Sequence, residues 1–161
     1  MIVMNTAADA IQMDQRGLLL TCPECGRRNR ATYQRLGQIF QCGQCHHPLP
    51  QISQPVEVEN QQEFDALVAQ SALPVLVDFW APWCRPCLMV APELVKVARE
   101  VAGRVLVAKV NTQDSADLAN RFGVSSIPTL ALFKGGHEIA RQAGAMPAPT
   151  ILQFIRQITS I

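Results

Sequence analysis

The chain has 161 residues, with 14 Lys and Arg against 13 Asp and Glu; at a formal net charge of +1 no global field is available to hold a polyanion or a charged membrane. Hydrophobic residues make up 48%, enough for a packed core, yet no run approaches the roughly 20 apolar residues of a membrane-spanning helix. The N-terminus carries no Lys or Arg before Arg16, and Leu18 to Leu20 is too short for a signal core, so the cytoplasm is the expected compartment.

In chain order, residues 1–17 read as a tail and 18–55 as a small four-cysteine module with its linker, poor in apolar residues and interrupted by Pro23, Pro48, Pro50 and Pro55. Such a segment is expected to bury little core of its own. Regular patterning begins at Val56 and defines a second domain over 56–161. Asn60 with Glu63 three residues later forms a capping box for a helix to about Gln70, with Phe64, Leu67 and Val68 inward. Val75 to Trp80 is a nearly continuous apolar run, as in a strand covered on both faces. A long amphipathic helix is predicted from about Cys84 to Ala102, stopped by Gly103. A strand at 105–110, a short helix at 115–122 and a strand at 129–133 follow. Gly135-Gly136 turns the chain into a fourth strand near 138–142, and 149–158 closes it as a helix. The order α-β-α-β-α-β-β-α predicts an α/β fold: a mixed sheet flanked by helices, with a right-handed crossover between its first two strands.

The six cysteines form three C-x-x-C pairs with none left over, which in a reducing compartment read as metal or redox sites. Cys84 and Cys87 fall at the start of the long helix, at the C-terminal end of a strand. Unpaired backbone N–H groups and the helix dipole there favour a thiolate, the attacking species in disulfide exchange. Pro86 suits the first helical turn. A zinc reading of this pair lacks partner cysteines in the second half of the chain. Cys22/Cys25 and Cys42/Cys45 are separated by 16 residues, within the spacing of a structural zinc site. Four thiolates close the tetrahedron of one Zn²⁺ ion and leave no open position; Gly26 and Gly43 are expected to ease the two turns, and the segment is expected to need the metal to fold. Further redox pairs, or His46 or His47 replacing Cys45, are the alternatives. Five arginines against three acids in residues 1–55 are cancelled by a four-thiolate zinc centre, so no nucleic-acid partner is expected.

Residues 77–87 (VDFWAPWCRPC), Pro92, Ile127-Pro128-Thr129 and Phe133-Lys134-Gly135-Gly136 resemble a thioredoxin over about residues 56–161. With the upstream cysteines, the whole chain resembles the zinc-containing bacterial thioredoxins that carry an N-terminal CxxC…CxxC extension. The resemblance implies a thioredoxin fold with a small zinc-ribbon-like module, and a protein-disulfide reductase in which Cys84 attacks and Cys87 resolves the mixed disulfide. It makes Asp78 the proton acceptor for Cys87, an acid whose pKa burial would raise; a carboxylate merely hydrogen-bonded in place is the other reading. It makes Pro128 a cis-proline against the sulfurs, and Trp83, Ile127, Gly144 and Ala145 the rim that meets substrate, with Arg85 and Pro86 beside it. Arg85 departs from the family's usual glycine, and its guanidinium is expected to stabilise the Cys84 thiolate and make the pair somewhat more oxidising. Trp80 reads as packing, Pro92 as a kink, and Lys109 as a neighbour of the buried aspartate or a solvated lysine. Implied partners are disulfide-containing proteins and an NADPH-dependent thioredoxin reductase. The chain has no nucleotide fingerprint, so no bound nucleotide or flavin is expected, and a monomer is the default. A zinc-dependent redox sensor or chaperone, and a disulfide oxidase or isomerase, are the alternative functions.

Overall fold

The computed structural model describes residues 11–161. An antiparallel three-stranded sheet comes first: β1 (Gln12–Met13), β2 (Gly17–Thr21) and β3 (Arg28–Thr32), paired in the order β1-β2-β3. The second sheet and its helices are β4 (Val56–Val58), α1 (Gln61–Gln70), β5 (Val75–Trp80), α2 (Arg85–Glu100), β6 (Leu106–Asn111), α3 (Ala116–Arg121), β7 (Thr129–Lys134), β8 (His137–Ala143) and α4 (Ala148–Ile158). Its strand order is β4-β6-β5-β7-β8. The first three strands in that order run parallel, whereas β7 is antiparallel to β5 and β8 to β7.

The strand β4 corrects the sequence reading, which began the domain with a helix. Val56-Glu57-Val58 alternates buried, exposed, buried, but three residues are too few for periodicity to separate them from a loop. The capping box is present in a shifted form: Asn60 Oδ1 accepts the Glu63 N–H at 2.9 Å, while the Glu63 carboxylate takes the N–H of Glu59 at 3.2 Å. The long helix ends at Glu100 rather than Ala102; residues 101–104 form a turn with Gly103 at φ 78°.

Two apolar clusters lie on the two faces of the sheet. Leu76, Val107, Leu130 and Leu132 pack with Val90, Leu94 and Val97 of α2 and with Ile151 and Ile155 of α4. Val77, Phe79 and Phe133 pack on the other face with Phe64 and Leu67 of α1 and Leu118 of α3. The second cluster also contains Leu18, Leu20, Ala31, Tyr33, Leu36 and Leu49. The few apolar side chains of the N-terminal segment are thus buried, in a cluster shared with the α/β domain and not in a separate core. The backbone joins as well. The Ala72 N–H donates to the Tyr33 carbonyl at 3.0 Å, and Gln34 Nε2 donates to Gln70 Oε1 at 2.9 Å. Residues 1–10 of the stretch read as a tail lie outside the described residues; in the rest of it Gln12 and Met13 are already paired with β2, and the Tyr33 hydroxyl donates to the Asp14 carbonyl at 2.6 Å. Gly37, at φ 93°, closes the contact: a Cβ there would lie 3.0 Å from Leu73 and 3.1 Å from the Gly103 carbonyl.

Candidate active site and candidate metal centre

Cys84 is the N-cap of α2, and its Sγ accepts the backbone N–H of Cys87 at 3.2 Å. A sulfur in that position takes up one of the orphan donors of the first turn, the interaction that lowers a thiol pKa. Cys84 and Cys87 are joined by a disulfide, with Cα atoms 5.3 Å apart. Both are buried, and with Ala81 they form a small cluster flanked by Trp80 and Ile127. Their neighbours on the same turn face outward: Arg85 and Pro86 are exposed, Trp83 is 71% exposed, and Leu88 and Met89 are also exposed.

The Ile127–Pro128 bond is cis, and the Ile127 carbonyl lies 3.8 Å from Cys84 Sγ. Gly144, at φ 99°, is tied to this loop by its N–H, which donates to the Pro128 carbonyl at 2.9 Å; Ala145 follows it, exposed. Trp83 and Ile127 also line a groove of about 510 Å³ whose other wall is Thr112, Ala116, Ala119, Asn120, Val124, Ser125 and Ser126. The sequence reading missed that wall. Its small residues carry no motif, and only Val124, Ser125 and Ser126 are marked by their position just before the cis-proline.

Asp78 lies in the middle of β5 and is fully buried, with no hydrogen-bond partner for either carboxylate oxygen among the described residues. It shares a face of the sheet with Leu76, which α2 covers. Burial pushes its pKa up to about 7; the Lys109 charge opposes this shift and the Glu57 charge adds to it. The alternative of a carboxylate hydrogen-bonded in place is not what the structure has. Lys109 is not a solvated lysine either: its side chain is 15% exposed and its ammonium sits 4.4 Å from the centre of the Trp80 ring.

The other four cysteines converge at the end of the small sheet. Each motif forms a tight turn: the Gly26 N–H donates to the Cys22 carbonyl at 3.0 Å, and the His46 N–H to the Cys42 carbonyl at 2.9 Å. Gly26 has φ 78°, and the equivalent residue of the second turn is His46, at φ 63°. Gly43 is therefore not the turn glycine expected from the sequence; its N–H donates to Asn29 Oδ1 at 2.9 Å. All four sulfurs lie within 4.8 Å of one another, with Cys22–Cys45 at 3.6 Å and Cys25–Cys42 at 3.5 Å. Zn–S bonds of about 2.3 Å at tetrahedral angles place sulfurs about 3.8 Å apart, so the cluster fits one such ion. The N–H groups of Cys45 and Gln44 draw the Cys42 thiol down to about 5. The His47 N–H favours ionisation of Cys45, but burial and the three neighbouring sulfurs outweigh it and push that thiol up to about 12. Neither His46 nor His47 belongs to the cluster; His47 Nε2 faces Glu24 at 3.8 Å.

The Thioredoxin family pattern matches residues 55–157. The chain belongs to the thioredoxin family. Thioredoxin C-3 of Corynebacterium nephridii is 39% identical over 140 residues, 87% of this chain and 94% of that protein. A match of that length has to include part of the four-cysteine segment. The thioredoxin of Haemophilus influenzae is 47% identical over 98 residues, 61% of this chain and 92% of that protein. Among solved structures, a point mutant of the thioredoxin from Halobacterium salinarum superposes with a TM-score of 0.63 at 29% identity, covering 70% of this chain and 96% of that one. The protein is thus a thioredoxin-type protein-disulfide reductase acting on disulfide-containing proteins, and the Cys84–Cys87 pair fits the redox-active site of such a thioredoxin. No helix among the described residues is long and apolar enough to cross a membrane.

Proposed function

We propose that the Cys84 thiolate attacks a substrate disulfide, forming a bond to one substrate sulfur while the other leaves as a thiolate and takes a proton. Cys87, deprotonated by Asp78, then attacks Cys84 Sγ and expels the second substrate sulfur. The substrate gains two electrons, and the Cys84–Cys87 pair is left oxidised. The observation that carries this reading is the Cys84 sulfur capped by the Cys87 N–H at the start of α2, together with a buried acid without a hydrogen-bond partner on β5, the strand that leads into that turn. An acid poised near 7 exchanges protons with a thiol at neutral pH with little driving force lost in either direction.

Trp83, Ile127, Pro128, Gly144 and Ala145 would form the rim that receives an extended substrate segment, with Arg85 and Pro86 beside it. Arg85 favours the Cys84 thiolate and so makes the pair slightly more oxidising. Reducing equivalents would come from NADPH through a flavoprotein thioredoxin reductase in a reducing cytoplasm, with the protein acting as a monomer. Cys22, Cys25, Cys42 and Cys45 would hold one Zn²⁺ ion, which supplies cross-linking of the two turns and no open coordination position. The division of labour is a 56–161 redox domain and an 18–55 metal module. The test is NADPH oxidation with a bacterial thioredoxin reductase and insulin as the disulfide. Turnover that vanishes in Cys84→Ser is expected; absence of turnover by the folded wild-type protein would overturn the reading in favour of an oxidase or isomerase.

A further inference from the structure

Three charged residues stand in one row across the sheet. Glu57 on β4 is the register partner of Lys109 on β6, and Lys109 is the register partner of Asp78 on β5. Residues opposite one another on neighbouring strands project to the same face, so one lysine lies between two carboxylates. It does not serve them equally. The ammonium lies 3.8 Å from Glu57 Oε1 and over the Trp80 ring, whereas the oxygens of Asp78 have no partner. The outer acid, with 51% of its side chain exposed, holds the cation that the fully buried inner acid lacks.

We propose that Glu57 is a positioning residue for the redox step: it retains the Lys109 ammonium at the outer edge of the sheet, leaves Asp78 without an ion pair, and thereby sets the pH range in which Asp78 exchanges a proton. The functional half of this inference rests on Asp78 being the proton acceptor for Cys87. The physical argument has two parts with the same sign. A negative charge on Glu57 disfavours a second one on Asp78, and a lysine drawn toward Glu57 stabilises the Asp78 carboxylate less than one paired with it directly would. Glu59, one residue beyond β4, and Glu63 of α1 line a cleft with Glu57, and the Trp80 indole of β5 lies beside it. Across a cleft it meets Ile11, Gln12, Met13 and Leu19 of the N-terminal sheet, none of them charged. The only cation that faces Glu57 among the described residues is thus the one it shares with Asp78.

The test follows the Asp78 carboxyl by infrared or NMR titration in the oxidised full-length protein. Two strand spacings separate Glu57 from Asp78, about 10 Å, and with one partner half in solvent Glu57→Gln is expected to lower the proton affinity of Asp78 about threefold. Glu57→Asp, which keeps the charge, is expected to stay near the wild type. The acidic limb of the pH profile for protein-disulfide reduction should move by the same factor and in the same direction, toward lower pH. A purely structural role for Glu57 would change stability without moving the titration. An Asp78 titration that is unmoved, or moved upward, in Glu57→Gln overturns the proposal. If the titration moves but Asp78→Asn has the wild-type pH profile, the proton-acceptor reading is wrong; the catalytic half of the inference falls with it, and the electrostatic half stands.

Discussion

The two kinds of C-x-x-C in this chain have the same spacing and opposite geometries. At the start of α2 the pair closes on itself: Cys84 and Cys87 are one helical turn apart, share a disulfide, and have one sulfur capped by the turn's own N–H. In the N-terminal module each pair sits on a tight turn, and sulfurs of different motifs face each other, Cys22 with Cys45 at 3.6 Å and Cys25 with Cys42 at 3.5 Å. The residues that follow decide which occurs. Pro86 and the helix-forming run after it extend the first motif into a helix, whereas Gly26 and His46, both at positive φ, turn the other two back on themselves. A helix start favours one reactive thiolate, and two facing turns make a cage for a cation.

The first way to break this comparison is to remove sulfurs one at a time. Cys84→Ser is expected to abolish insulin reduction. Cys42→Ser, or a strong chelator, is expected to leave it intact while the N-terminal sheet loses its hydrogen-exchange protection, because the redox pair shares no atoms with the cluster. Loss of turnover in Cys42→Ser would mean the two sites act together. Truncation of residues 1–55 is a gentler version of the same test. The thioredoxin of Haemophilus influenzae consists almost wholly of the matching region, so residues 56–161 are expected to fold and turn over. They would lose the cover of Leu36, Leu49 and Tyr33, which at roughly 1.5–3 kcal/mol per large buried apolar side chain costs at most about 4.5–9 kcal/mol in a denaturant titration.

Acid–base behaviour sharpens the contrast next. Asp78 is raised in the folded state, so folding favours its protonated form; the stability of the wild type relative to Asp78→Asn is full below about pH 4 and declines as pH rises toward about 7. The expected loss across that window is about 3–4 kcal/mol, read from urea midpoints of the oxidised proteins at several pH values. A pH-independent difference would show that Asp78 is not shifted.

Much of this was legible in the sequence because local signals were strong: the apolar run of β5, the capping residue Asn60, the motif from Val77 to Cys87 and the spacing of the four other cysteines. What was not legible depended on long-range packing. Arg28-Asn29-Arg30-Ala31-Thr32 reads as polar, yet it is strand β3, with Ala31 fully buried. Tyr33 and Leu36 look like isolated apolar residues until the α/β domain provides the surface that covers them. Gly43 fits the expectation of a turn glycine, but the left-handed position falls on His46, one of the few non-glycine types that adopt it with any frequency. No motif marks Glu57; only strand register places it in line with Lys109 and Asp78.

Two smaller effects follow from those residues. His46→Gly is expected to stabilise the module by about 1 kcal/mol, the cost of a non-glycine residue in the left-handed region; a thermal melt of the metal-loaded protein reads it, and destabilisation would mean the imidazole makes a compensating contact. Arg85→Gly is expected to lower the reduction potential by at most about 20 mV, the equivalent of the roughly 0–1 kcal/mol of an exposed charge interaction. Equilibration against glutathione measures it, and a rise would contradict the role given to the guanidinium.

The most direct measurement is to trap the intermediate. The Cys87→Ser protein is incubated with a protein disulfide, and the mixed disulfide is mapped by mass spectrometry of its peptides. Substrate attached through Cys84 alone is the expected result; substrate found on Cys22, Cys25, Cys42 or Cys45, with Cys84 unmodified, would contradict the separation of redox pair and metal cage.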